Sequence, residues 1–335
     1  MKAIKFFAIS AMAAAMITSC SSEDELSQSN YPSDNIVRVT AGVNNAKTRA
    51  EGAGTPLEQP LSLTVVNKNA PKYTYTDKVF SKSSGDWACS ETLLWQKSDA
   101  LVDIVAFAPA QTGKFNGVYA NESIQPVAYS VASDQSTSSA NNDLLYYYAK
   151  DFNPGESLDK GKLKIQFNHA FCMIDINVTL GTEFNKPNVL DDSPIVKVTL
   201  GGTKIAANVN VTNAASVVTA SETDDATTIT TTKGSFTPAE NADKKADPEK
   251  NAISRFSCIA IPQTVGANTF KVSLMTADKL YEWTSDKEIT LKSGYRYTLN
   301  LSMGNDVVLL KGGSDNGGIT ASPWTEGTGG SLETD

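Results

Sequence analysis

The chain has 335 residues, with 29 Lys and Arg against 37 Asp and Glu, a formal charge of −8, and 40% hydrophobic residues. That is the profile of a folded globular protein of two domains, or of one large β domain. Its acidic balance argues against nucleic acid, which needs a concentrated excess of Lys and Arg, and a single histidine, His169, argues against hydrolytic triads and His-rich metal centres.

The first element is an address. Residues 1–19 read as a lipoprotein signal peptide: Lys2 and Lys5 form a basic start, and Phe6 to Ile17 form an apolar run too short to span a bilayer comfortably. Ile17-Thr18-Ser19-Cys20 is similar to a bacterial lipobox, which makes Cys20 the lipid attachment site and the first residue of the mature chain. The bland reading is an ordinary signal peptide that contains a cysteine. Residues 20–34 then read as an acidic tether, with Glu23-Asp24-Glu25 followed by Tyr31-Pro32. The other cysteines, Cys89, Cys172 and Cys258, are far apart and lack CxxC or CxxH spacing. No zinc or redox motif is supported, and buried free thiols are expected for Cys172 and Cys258.

Beyond the tether the pattern has period two. Val37, Val39, Ala41 and Val43 share one face of the first strand, and Leu61, Leu63 and Val65 share one face of the next. Leu101 to Ala108 is more continuously apolar, with Asp103 as its one charge, as a strand covered on both faces would be. Cys172, Ile174, Ile176, Val178 and Leu180 form the cleanest stripe. Phe256-x-Cys258-x-Ala260, Phe270-x-Val272-x-Leu274 and Tyr295-x-Tyr297-x-Leu299-x-Leu301 repeat it. Ala226–Thr232 reads as a Thr-rich hairpin edge. Many short strands with turn clusters between them predict an all-β sandwich architecture. The turn formers of 150–161 mark a boundary, giving an N-terminal β-sandwich domain over 35–160 and a C-terminal one over 161–335.

In order and spacing these segments resemble the fimbrillin family of Bacteroidetes, the type V pilins and their surface-lipoprotein relatives. The resemblance rests on Ala46-Lys47-Thr48-Arg49-Ala50, Leu94-Trp95, Ala106-Phe107-Ala108-Pro109 and Asn142-Asp143-Leu144-Leu145-Tyr146. Its most distinctive block is Leu163-Lys-Ile-Gln-Phe167-Asn-His169-Ala170. Ile261-Pro262-Gln263, Ser293-Gly294-Tyr295 and Pro323-Trp324 complete it. The acidic run behind Cys20 is also similar to the export signal of that phylum's surface lipoproteins. The resemblance implies two tandem transthyretin-like β-sandwiches and a pilus subunit, at the tip, in the stalk or accessory, that mediates adhesion. It implies a lipidated precursor at the cell surface, in the outer membrane or a fimbrium. An Arg-specific protease would remove the first strand, and a neighbouring subunit would donate a strand to the groove.

Arg49 is the expected processing site, because Asn44 to Pro60 should form an exposed loop between two strands. The displaced strand would be the one carrying Val37, Val39, Ala41 and Val43. The bland alternative leaves Lys47 and Arg49 as solvated loop charges. As a donor the chain looks weak: after Trp324 it is Gly-rich, with Leu332 as its single large apolar residue. Either Asp306–Leu310 with Ile319–Trp324 detaches to serve, or the subunit sits at a tip or does not polymerise.

No catalytic constellation is present, so no enzyme activity, cofactor or metal is expected. His169 reads as a structural, hydrogen-bonded histidine, and Asp191-Asp192, Asp224-Asp225 and Ser314–Gly318 read as turns rather than calcium loops. Trp87, Trp95, Trp283, Trp324 and Tyr146–Tyr148 read as core or edge packing rather than a glycan platform. Expected partners are other pilin subunits, the outer membrane through the lipid anchor, and a surface glycan or protein of host or bacterium. The competing function is a surface lipoprotein that binds glycan without polymerising.

Overall fold

The computed structural model describes residues 30–44, 55–110, 119–120, 123–139, 142–185, 191–241, 243, 245, 247, 249–305, 308–310 and 319–324. Cys20, Arg49 and residues 325–335 lie outside these. The strands of the first half are β1 (Val39–Val43), β2 (Thr55–Pro56), β3 (Leu61–Val66), β4 (Tyr75–Ser83), β5 (Asp86–Cys89), β6 (Val102–Ala108), β7 (Tyr119–Ala120), β8 (Ser123–Ile124), β9 (Val127–Ser130), β10 (Leu145–Phe152) and β11 (Leu163–His169). Those of the second are β12 (Cys172–Leu180), β13 (Ile195–Thr203), β14 (Ala206–Val209), β15 (Val218–Ala220), β16 (Thr227–Thr230), β17 (Thr232–Thr237), β18 (Ile253–Ala260), β19 (Thr264–Val265), β20 (Lys271–Thr276), β21 (Leu280–Thr284), β22 (Ile289–Thr290), β23 (Tyr295–Met303), β24 (Val308–Leu310) and β25 (Thr320–Pro323). The fold is all-β, as the alternation predicts.

One sheet has the order β2-β1-β11-β10-β6-β3-β4-β5. It encloses a core of Leu61, Leu63, Ile104, Leu163, Ile165 and Phe167 with Trp95. A second sheet, β17-β18-β12-β23 with β24 and β25 both on β23, faces β16-β13-β20-β21 across the other core. That core includes the predicted stripe from Cys172 to Leu180. Cys172 and Cys258 are buried free thiols within it, and burial pushes both thiol pKa values up.

β6 serves both cores, which explains why, apart from Asp103, whose carboxylate pairs with Lys68 Nζ at 2.7 Å, it is apolar on both faces. Val102, Ile104, Ala106 and Ala108 enter the first, whereas Val105 and Phe107 enter the second. β9 also crosses over, pairing with β14 from Val127 beside Val209 to Ser130 beside Ala206. The turn-rich stretch 150–161 connects β10 to β11, which are neighbours in one sheet. Phe167 belongs to the first core and Ala170 to the second, so the change of core falls within three residues.

Two local expectations differ from the structure. β3 is buried on both faces, including Ser62 and Thr64. Those polar side chains are tolerated because Asp77 covers them: Thr64 Oγ1 accepts from Asp77 N at 3.0 Å, and the Ser62 hydroxyl bonds the Asp77 carboxyl. The Thr-rich run is no hairpin either. β16 joins β13 and β17 joins β18. Between them the buried Thr231 bonds Val198 O through both N and Oγ1, at 3.0 Å each, and fixes the switch between sheets.

Candidate functional site

The candidate site is the seat of β1. Its backbone runs parallel to β11, from Val39 beside Leu163 to Val43 beside Phe167. Leu163 N donates to Arg38 O at 2.7 Å, and Asn44 N to Phe167 O at 2.8 Å. The chain just before it is pinned to residues 93–95: Val37 N donates to Leu93 O at 2.9 Å, and Trp95 N to Asn35 O at 2.8 Å. On its far side, among the described residues, β1 pairs with the two-residue β2, with Gly42 beside Pro56 and Val43 beside Thr55, and Leu57 N donates to Ala41 O at 3.5 Å. β1 is therefore close to an edge strand, held by one continuous ladder, and a parallel ladder is slightly weaker per residue than an antiparallel one.

The side chains divide by face. Val37, Val39 and Val43 are buried in the first core and Ala41 packs against it half-buried, while Thr40 is exposed. Opposite them lie Leu163, Ile165 and Phe167, all fully buried. Each inward valine contributes about 1.5 kcal/mol or more of burial, an upper estimate because unfolded chains already hide some surface. Upstream, Arg38 Nη1 donates to Asp34 Oδ1 at 2.9 Å, and the guanidinium holds the exposed Asp34 carboxyl down at about 2. Arg49 lies outside the described residues, in the stretch between Val43 and Thr55 that joins β1 to β2.

A second cluster joins segments that are far apart in sequence. His169 Nδ1 is 2.8 Å from Asp143 Oδ2, with both side chains buried. The imidazole stacks on Trp324, with ring centroids 3.7 Å apart and planes 10° apart. Trp324 N donates to Gly294 O at 2.7 Å, and Gly294 N to Phe171 O at 2.9 Å. The backbone of Gly294 has φ +70°, a conformation most side chains resist. His169 is thus built into packing between the cores, as its place in a strand predicts. Sequence reasoning missed Asp143 as its partner and passed over Gln135, a buried residue of an unremarkable loop. Gln135 Nε2 donates to Ile259 O at 2.9 Å, while Ile259 N donates to Gln135 Oε1 at 2.8 Å.

Among the described residues, no group of three or more His, Cys, Asp or Glu is arranged to hold a metal. Asp192 faces Lys233 Nζ at 2.8 Å instead.

Residues 48–324 match the model of a family described as fimbrillin-like. The chain belongs to that family. No curated protein matches it. Among solved structures, this fimbrillin-like chain is similar in fold to a protein of Bacteroides ovatus assigned to cell adhesion, at 16% identity and a TM-score of 0.60, over 87% of this chain and 98% of that one. A second such protein, from Bacteroides uniformis, gives 14% identity and 0.55, over 88% and 100%. A fimbrial protein of Bacteroides vulgatus gives 14% and 0.52, over 86% and 99%.

Proposed function

We propose that this fimbrillin-like chain is an acceptor subunit of a surface fimbrium, at its tip or accessory to it, and takes part in adhesion. It reaches the outer membrane on a lipid carried by Cys20, loses β1 by cleavage after Arg49, and takes a strand from a neighbouring subunit into the vacated seat. One observation carries the reading: β1 fills an apolar slot with its inward valines, yet is bound by a single five-residue parallel ladder and a two-residue flank. A strand so placed is removable without cutting through the sheet. What it leaves is a row of unpaired backbone groups on β11 beside fully buried side chains, which another strand of alternating pattern satisfies.

The acceptor role is supported by β25. All four residues of β25 are exposed, and the described residues on either side of it, Ile319 and Trp324, are buried. A strand of that pattern brings no set of alternating apolar side chains to a neighbour's slot.

The test is digestion of the folded precursor with an Arg-specific protease, followed by N-terminal sequencing. A new terminus at Ala50, abolished by Arg49→Ala, is expected; first cleavage at Arg38 or Arg255 would overturn the processing step. Acyl labelling in a lipoprotein-competent host is expected for the wild type and lost in Cys20→Ser. Equal labelling of the two would remove the anchor.

A further inference from the structure

An open cleft of about 750 Å³ lies between Tyr146 of β10 and the second half of the chain, and none of its described lining residues belongs to β1 or β11. Its walls are joined by Gln263. The side-chain amide of Gln263 accepts from Lys204 N at 2.9 Å and donates to Lys204 O at 3.0 Å. Its backbone donates to Leu291 O at 3.0 Å and accepts from Leu291 N at 2.8 Å. Lys292 follows directly, and its N donates to the hydroxyl of the buried Tyr297 at 2.7 Å. One residue therefore ties together the backbones that carry Lys204 and Lys292, and both lysines line the cleft.

The cleft is rich in donors and short of negative charge. Its described lining holds two lysines and no carboxylate. Lys204 Nζ donates to Ser221 O at 2.6 Å, which places the ammonium without neutralising it. Lys292 is exposed, and neither lysine has an ion pair among the described residues. β15 supplies further donors. Among the described residues it pairs with β14 alone. Asn210 N donates to Val217 O at 2.7 Å and Ser221 N to Ala206 O at 2.8 Å, so residues 217, 219 and 221 turn their backbone groups toward β14. Val218 and Ala220, which also line the cleft, turn theirs away from it. Ser216 Oγ already donates to the Val218 carbonyl at 3.1 Å, so this edge offers two N–H groups against one carbonyl. A paired strand needs donors and acceptors in alternation, whereas this imbalance suits a ligand rich in acceptor oxygens. Tyr146 and Tyr295, packed against the second core, add two phenol rings to the lining.

We propose that this cleft binds an acidic saccharide, a short run of sugar rings bearing carboxylates. The carboxylates pair with Lys204 and Lys292 through charge-assisted hydrogen bonds. Ring hydroxyls accept from the amides of Val218 and Ala220, and the C–H faces of the sugars lie against the two tyrosines. The volume is that of a small-molecule site, far more than a lone inorganic anion fills. The ligand class belongs to the adhesive part of the proposed function, and it rests on that reading only for its place at the cell surface. Binding needs neither a lipid on Cys20 nor cleavage at Arg49. Failure of either step leaves the cleft as it is, and failure of the cleft to bind leaves strand exchange untouched.

Calorimetric titration of the uncleaved chain with trigalacturonic acid tests it. Binding is expected, weaker as salt rises, and about tenfold or more weaker for the methyl-esterified trisaccharide, which keeps the rings and loses the charge. Lys292→Gln should weaken binding by about tenfold with the melting temperature unchanged. Lys72→Gln, at an exposed lysine outside the cleft, should leave it as in the wild type. Absence of binding, equal affinity for the ester, or wild-type affinity in Lys292→Gln would overturn the proposal. So would tighter binding of tetraglutamate than of the saccharide, which would assign the cleft to an acidic peptide.

Discussion

At the residue scale, the structure turns on polar groups that the sequence hides. β17 pairs with β18 only from Ile253 to Ser257, and two residues further on Gln135 takes over as partner. Its side-chain amide offers one acceptor and one donor to Ile259, as a strand residue would, and also donates to Ala132 O at 3.1 Å. The loop holding Gln135 is thereby stapled to the second sheet, and its own N donates to Thr230 O at 2.9 Å. Gln135→Ala leaves the buried N–H and C=O of Ile259 unpaired, at about 1–3 kcal/mol per group. Gln135→Glu keeps an acceptor but loses the donor and buries a charge. Thermal denaturation should place both variants several degrees below the wild type; an unchanged melting temperature in Gln135→Ala would show that the amide is dispensable. Nothing in Ser133-Asp134-Gln135-Ser136 marks this role, because a side chain imitating a backbone has no periodicity.

At the scale of elements, the sequence reveals strands well and their partners poorly. Alternation locates β1, β12, β18, β20 and β23 because one face of each is buried, and a run apolar at all but Asp103 locates β6 because both are. Pairing depends on contacts over 100 residues apart, such as β1 on β11 or β12 on β23, and these leave no local mark. The seat of β1 was legible as four alternating residues; that one ladder holds it was not. That ladder predicts how the first sheet behaves once cut. After cleavage at Arg49 and mild denaturant, β1 should dissociate before global unfolding, because its apolar contribution is a small part of the first core. The processed chain should then bind a hydrophobic dye and show a lower melting temperature. A synthetic peptide spanning Ile36–Asn44 should reverse both. Retention of β1 until the global transition would mean that the strand is an integral part of the sheet rather than a replaceable one.

At the scale of the molecule, β1 and β25 are held in unequal ways. β1 puts Val39 and Val43 into a core on one continuous ladder, with Val37 before it pinned to Leu93, so on the proposed function its loss would create an acceptor. The carboxy-terminal strands lie along β23 in series, with Val308 beside Met303 and Pro323 beside Tyr295, and β25 exposes its side chains. Detaching them would break two ladders and pull Trp324 from its stack on His169, with little apolar burial gained elsewhere. On the proposed function, exchange is expected in one direction, with the chain receiving a strand and not passing one on. A subunit of that kind ends a fibre or decorates it. Processed chain incubated alone should remain monomeric on gels run without heating. Processed chain given the Ile36–Asn44 peptide should form a one-to-one complex and grow no further. Removing residues 325–335 should change neither result, because that stretch carries Leu332 as its single large apolar residue. A heat-sensitive ladder of multiples formed by the processed chain alone would show that a donor strand exists within it, and the direction of exchange inferred from β1 and β25 would be wrong.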